Sequence, residues 1–490
     1  MGRLFLFCIG GTGSRVFRSL CHLLASGVSI NATEIVPIII DPDVNNGDFT
    51  RTQKLLDNYI KIYNLLATTD NQKGRFFGQK ISPLISLNYK GSTHNTFEDF
   101  IGLKSMSLEN SSFIRSLFTE ASLKSNMTVG FKGNPNVGSV VLNQLFDPEK
   151  NNDFKDVVSS IKKDDRIFII SSIFGGTGAS GFPLLVKNLR KPNPNTPNEN
   201  IIRQSVIGAV SLLPYFDLLP SPTSPITSAS FVVKTKAALN YYSRNIIKNR
   251  SINAMYYIGQ RSSGPAFVNN PGGPTQKNDA HFVELASALA IIDFMEDDRL
   301  ITDSEGKSEI DVVVKEFGID QINPTSLIAF EQLGERTKKM IEKPITAYSL
   351  FIKYLEQIFP SVYTSIDSKY LDQPWAKNPD HLFDTTFFSD DFFKVFLSGF
   401  NADFNSWLDE LSRNRRFFKP IDMAVTEQRL FHLRPSITPK RSKFDNYDFY
   451  NHILNLLSKE RKIHPSNKFE NFIDLFYNAS KKIIQSKLTA

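Results

Sequence analysis

Cysteine is scarce in this chain, with only Cys8 and Cys21 among 490 residues. Both fall in apolar stretches, so the sequence predicts two buried, reduced thiols and excludes a disulfide framework or a cysteine-built metal site. No apolar run approaches the ~20 residues that a membrane-spanning helix needs. The short apolar run at 4–9 is too brief for a signal-peptide core and has no cleavage pattern after it. Leu6 stands where an N-myristoylation signal needs Ser or Thr. A cytoplasmic protein is expected. The motif Gly-x-x-x-x-Gly-Lys-Ser/Thr does not occur, which removes the P-loop NTPases.

What the chain does have is strands that end in glycine. The buried-looking run Arg166 to Ser172 leads into Phe174-Gly175-Gly176-Thr177-Gly178-Ala179-Ser180-Gly181, followed by a helix-compatible stretch. Leu4 to Ile9 leads in the same way into Gly10-Gly11-Thr12-Gly13-Ser14, and the apolar positions Val16, Leu20, Leu23 and Leu24 then repeat at helical spacing. A strand, a glycine turn and a helix N-terminus together form a phosphate cradle. Glycine lets backbone approach the oxygens, and the first turn of the helix presents free N–H groups with a partial positive charge. A third glycine segment, Gly130-Phe131-Lys132-Gly133-Asn134-Pro135-Asn136-Val137-Gly138, lies between the two.

In order and placement the three segments resemble the nucleotide loops of the tubulin/FtsZ superfamily. The middle one is similar to the FtsZ loop around the outer phosphates, with the ending Gly133-Asn134-Pro135-Asn136-Val137-Gly138. The 175–181 segment is similar to the tubulin signature, with Phe174 in place of its first glycine. The resemblance implies an α/β fold with a parallel-sheet nucleotide-binding domain over residues 1–300, whereas Leu, Phe and Ile at three- and four-residue spacing after residue 300 predict a mostly helical, basic domain over 301–490. The resemblance covers about three fifths of the chain.

The same resemblance implies residue roles. Backbone of Gly10, Gly11, Thr12, Gly13 and Ser14, of Gly133 and Asn134, and of Gly175, Gly176, Thr177, Gly178 and Ala179 would hold GTP or GDP, with the Thr177 hydroxyl as a further donor. Asp41 and Asp43, at the end of a second strand (Glu34 to Ile40), stand where Mg²⁺ and phosphates would lie. Asn278-Asp279, opening a strongly apolar helix read as Asp279 to Asp293, match an Asn-Asp pair whose acid reads the guanine edge through its N1–H and N2–H₂ donors. Asp capping a turn before Pro42 and an ordinary N-terminal helix acid remain the plain alternatives. Nucleotide at a subunit junction implies head-to-tail self-association into filaments.

Departures from the pattern are as informative. Ser14 and Arg15 replace a base-contacting Asn, and Pro274 stands where a stacking aromatic is expected. After the apolar helix comes Glu296-Asp297-Asp298-Arg299-Leu300-Ile301-Thr302-Asp303, which is acidic but is not the hydrolytic loop of FtsZ. Asp297, Asp298 and Asp303 are the candidate catalytic acids, and loss of hydrolysis fits equally well. Two other classes stay open: a nucleotide-bound scaffold acting through partners, and a Rossmann oxidoreductase with Asp41 as its ribose acid.

Coarse patterning adds a strand at Ile201 to Leu213, a helix at Ser228 to Ile247, a strand at Ala254 to Ile258, and helices within 326–358, 388–411 and 450–486. The stretch 66–128 is poor in pattern, and 191–200 reads as a loop. Charge is uneven. Residues 412–490 carry 16 Lys/Arg against 7 Asp/Glu, so the rest of a chain of net charge +7 sums to −2. The clusters Arg413, Arg415, Arg416 and Lys419, Lys440, Arg441 and Lys443, and Lys459, Arg461 and Lys462 fit a solvated face, or a surface for an acidic partner, nucleic acid or an anionic membrane.

Overall fold

The chain was analysed as a computed structural model, which describes all residues except 1, 44, 67–72, 88–95, 128–129, 132, 218, 220–227, 261–272, 275, 320–327, 360–365, 378–382, 415–416, 441–443, 445, 461–466 and 489–490. Strands β1 (Leu4–Ile9), β2 (Ile35–Ile40), β3 (Ile85–Leu87), β4 (Arg166–Ser172), β5 (Val206–Leu212), β6 (Ala254–Gln260) and β7 (Val313–Ile319) form one sheet. All neighbouring pairs are parallel, in the order β3-β2-β1-β4-β5-β6-β7. The central strands are buried along their whole length, and the sequences LFLFCI and IVPIII show the unbroken apolar runs that a parallel sheet covered on both faces requires.

Helices α1 (Gly10–Ala25), α2 (Gly47–Leu66), α3 (Pro135–Leu145), α4 (Gly176–Arg190), α5 (Ser228–Tyr242) and α6 (Phe282–Glu296) supply the cover. Helix α1 packs with both α2 and α6, while α3 and α4 pair with each other. The apolar helix starts at Phe282 and not at Asp279. His281 is its N-cap and closes a capping box with Glu284, so Asn278 and Asp279 belong to the preceding loop.

Two further boundaries differ from the sequence reading. Residues 199–204 are helical and the strand begins only at Val206, because Ser205 ends the helical turn. The stretch 66–128 contains β3, which is only three residues long, and short helices at Phe97–Phe100, Leu108–Leu117 and Glu120–Leu123. Elements that short leave little periodicity to read.

After residue 300 the chain adds β7 to the sheet and then turns helical, with α7 (Glu335–Ile358), α8 (Ser398–Arg413), α9 (Asn446–Glu460) and α10 (Lys468–Lys487). The generous phenylalanine content is used here. Phe351, Phe383, Phe387, Phe388, Phe393, Phe472 and Phe476 form a contiguous ring cluster. No described helix is long and apolar enough to cross a membrane. Cys8 and Cys21 are both free and buried.

The basic 412–490 segment is less of a surface than its charge suggests. Arg434 is buried on Glu331 and Glu342, and Lys487 is buried over the Phe449 ring. Lys419, Lys440 and Lys459 are exposed, and Arg413 pairs with Asp279 and Asp409. Arg415, Arg416, Arg441, Lys443, Arg461 and Lys462 lie outside the described residues.

Candidate functional site

The chain runs outward from β1 to β2 and β3, then crosses back to β4 and continues the other way. The crevice beyond the carboxyl ends of β1 and β4 is therefore the topological switch point, the place where open parallel sheets bind ligands. All three glycine segments meet there. Gly10, at φ +71°, turns β1 directly into α1, and a Cβ on it would stand 3.7 Å from Thr177 Cβ. A Cβ on Gly176, the first residue of α4, would come within 3.1 Å of the amide nitrogens of Gly133 and Asn134. The loop at 130–138 thus rests on the start of α4 in a gap that only glycine leaves open.

Both helices that begin in this crevice lack an N-terminal cap. Neither Ile9 before α1 nor Gly175 before α4 contributes a side-chain bond, and neither first turn holds an acid. Orphan N–H groups at a helix start need a partner, and an anion is the natural one. The helix α3, in contrast, is capped by Asn134, which accepts from the amides of Asn136 and Val137. Gly13 and Gly178 lie against the backbone of Cys8 and Ser172 at the strand ends, and the Ala179 carbonyl accepts from Tyr242. A side chain at position 178 would therefore be driven into β4 rather than into phosphate space.

On the flank of the first loop stands a buried ionic cluster. Arg15 donates to Glu284 at 2.5 Å, to Asp48 at 2.6 Å and to Tyr215 at 3.0 Å, with a longer bond of 3.3 Å to Thr12. Burial works against its charge, but Glu284, Tyr215 and Asp48 outweigh that and hold the guanidinium firmly protonated. Gly11 faces this cluster, with Asn46, Arg15 and Asp48 3.6–3.8 Å from where its Cβ would be. Ser14 beside it is buried, and its hydroxyl has no hydrogen-bond partner among the described residues.

Asp41 and Asp43 sit just beyond β2, both buried. Asp41 accepts from the Asp43 amide, and Asp43 accepts from the Gly273 amide at 2.6 Å. Burial is the largest influence on Asp41, and with the nearby Asp43 and Asp48 charges it pushes the carboxyl up to about 7. A carboxyl held above its ordinary range keeps its proton in the fold after the unfolded chain has lost it. Folding stability then falls as pH rises from about 4 to about 7. Asp41→Asn should therefore raise the melting temperature at pH 8, with a smaller gain at pH 5. A gain of equal size at both values, read by thermal denaturation, would contradict this placement. Among the described residues no three His, Cys, Asp or Glu groups cluster as a ready metal site.

The remaining candidates are placed as follows. Asn278 donates to Asp48 through its backbone and side chain, and Asp279 pairs with Arg413 on α8. Asp297, Asp298 and Asp303 lie beyond the other end of the sheet. Arg166, the first residue of β4, holds the Asp297 carbonyl and pairs with Asp298, whereas the glycine loop follows the last residue, Ser172. Six strand steps separate the two ends by about 20 Å. Within one chain these acids and the glycine loops cannot meet. Asp297 is further engaged by Arg299, whose hydrogen bond pulls its carboxyl down to about 2, and Asp303 caps a turn through the amides of Glu305 and Lys307.

The parallel sheet with flanking helices is the fold class that the loop resemblance implied. The fold is an α/β parallel sheet with a mostly helical region after it. No model of a known protein family matches the chain, and no curated protein matches it. Among solved structures it is similar to the GTPγS-bound protofilament of CetZ2 from Haloferax volcanii, at 12% identity over 60% of this chain and 58% of that one, with a TM-score of 0.27. It is also similar to CetZ from Methanosaeta thermophila strain DSM 6194, at 15% identity over 60% of this chain and 52% of that one, with a TM-score of 0.25. The matched region spans little more than half the length of those two chains.

Sequence reasoning had treated Arg15 only as a departure from a pattern and had not singled out Asp48, Glu284 or Tyr215. A charged residue directly after a glycine loop was the available signal. Its partners lie 33, 200 and 269 residues away, so nothing local pointed to them.

Proposed function

We propose that this chain binds a nucleoside di- or triphosphate in the crevice between β1 and β4, with GTP the expected ligand. The observation that carries the reading is the convergence of three glycine segments on two helix N-termini that have no caps of their own. Amides of residues 10–14 and 175–179 would hold the phosphates, with 133–134 closing over the outer ones. Asp41 and Asp43 are the carboxylates for an accompanying Mg²⁺, and a divalent cation would offset the cost of ionising Asp41.

A Rossmann reading leaves the third glycine loop without a purpose. The placement of the glycine loops at one end of the sheet and the acids 297–303 at the other supports a reading of head-to-tail assembly. A second reading, a scaffold that holds nucleotide without hydrolysing it, is favoured by the engagement of Asp297 with Arg299 and of Asp303 with its own turn. The base-reading role of Asp279 belongs to this same proposal, as does a division into two domains, with its boundary moved beyond β7 because that strand pairs with β6.

Titration calorimetry with GTP, GDP and ATP in the presence of Mg²⁺ tests it, with phosphate release and light scattering followed on the same samples. Gly176→Ala should lower nucleotide affinity, by about tenfold, because the new methyl crowds Phe131 and the amides of Gly133 and Asn134 and shifts the loop from its seat on α4. Unchanged affinity in that variant would dismiss the 130–138 loop from the site. No binding by the wild-type protein would dismiss the site.

A further inference from the structure

One charged side chain over the crevice has no ion-pair partner among the described residues. Lys234 projects from α5, and its Nζ donates to the carbonyl of Gly133 at 2.5 Å. The group is half-buried, and loss of water around the ammonium is the sole influence on it, lowering its pKa. Among the described residues no carboxylate forms an ion pair with it. A half-buried ammonium satisfied only by a carbonyl retains two further N–H donors and an unneutralised charge.

The position of Lys234 is fixed by packing and not by the lysine itself. One turn earlier, Phe231 lies on Phe174, the residue that leads into the second glycine loop, with ring centroids 4.8 Å apart. Two turns later, Tyr242 packs edge-on against Phe182 of α4 at 5.0 Å and donates to the Ala179 carbonyl at 3.4 Å. These contacts lay α5 along the loop at 174–181 and the helix it opens. Lys234 then reaches Gly133, whose amide lies beside the first residue of α4. The lysine, the third loop and the orphan amides of α4 are therefore consecutive contacts around one place.

We propose that Lys234 binds the terminal phosphate of a nucleoside triphosphate and makes the 130–138 loop respond to whether that phosphate is present. This rests on the nucleotide reading above. With three donors, the ammonium can keep the Gly133 carbonyl and add a phosphate oxygen, so the loop is drawn toward the ligand through one side chain. A diphosphate held by the amides of α1 and α4 would not extend to it. Lys234 is thus the residue that distinguishes the two nucleotide states. Nothing in the local sequence marks it, because its partner loop lies about 100 residues earlier.

The test compares Lys234→Met and Lys234→Arg with the wild-type protein for binding of GTP and GDP, and of ATP and ADP, by calorimetry. Ligand-free melting temperatures serve as the check that both variants fold, which the half-exposed position favours. The expected result is a loss of triphosphate affinity of about 10- to 100-fold in Lys234→Met, the value of a hydrogen bond to a charged group. Diphosphate affinity should change by less than about threefold, and Lys234→Arg should recover most of the triphosphate binding. Equal losses for both nucleotides, or no loss for either, would overturn the role of Lys234 while leaving the site in place. If the wild-type protein bound no nucleotide, the site and the lysine's role would fall together.

Discussion

Arg15→Met should destabilise the protein by about 3–5 kcal/mol, the range found when one member of a buried ion pair is removed. The guanidinium is the shared partner of Glu284 and Asp48, whose side chains are 1% and 0% exposed. Asp48 keeps Arg51 at 3.1 Å, but Glu284 is left with only the Tyr215 hydroxyl and its own capping bond to the His281 amide. The loss therefore concentrates at the start of α6, where a buried carboxylate would face apolar surroundings. Urea denaturation at neutral pH measures it, and a loss below about 1 kcal/mol would show that solvent reaches the cluster. The double variant Arg15→Met/Glu284→Gln should recover part of the stability, because it removes the orphaned charge with the cation. Nucleotide affinity should stay low in both, since the loop at 10–14 loses the group that braces Thr12.

Trp407→Ala should be comparably severe, at about 3–5 kcal/mol for a fully buried aromatic. Trp407 belongs to α8 but is buried against α1. It stacks on His22 at 4.9 Å and donates to the Ser19 hydroxyl at 3.1 Å. Beside it, Arg18 spans Asp403 and Glu410, and His22 donates to Asp403 at 3.0 Å. Burial holds the His22 imidazole neutral, with its pKa down at about 4. Glu410 continues the chain of charges to Arg51 and accepts from the Ala280 amide. The helical region is thus joined to the helix of the first glycine loop by a core of rings and buried ions. In the variant, Trp375 is the only tryptophan left, and it lies in the helical region. Its fluorescence and the far-ultraviolet circular dichroism of the whole chain should still change together as urea rises, only at a lower midpoint. Separate transitions would mean that the helical region holds together without its contact to α1.

The glycine loops were legible because everything that makes them is local. An apolar strand, a glycine at the turn and a helical repeat after it are adjacent in the chain, so β1 with α1 and β4 with α4 could be read directly. Even the pairing of loops was visible from their order. The start of α6 was less legible, since Asn278-Asp279 and His281 are all acceptable residues before a helix, and the capping box with Glu284 decided between them. The strand β3 was missed because three residues carry no period.

The acids at 297–303 could be found from composition, but their distance from the glycine loops is set by the length of β4. Asp279 was read from a motif, while its partner Arg413 comes from a helix 134 residues later. Sequence alone determined the strand–loop–helix units, the parallel sheet and the helical character of the C-terminal part, because each depends on the spacing of neighbours and on which residues can turn the chain. Tertiary structure alone decided which loops touch, which helix starts stay uncapped beside them, and which charges are buried together. Those depend on contacts between residues hundreds of positions apart, and desolvation makes such contacts strong only after the fold has brought them together.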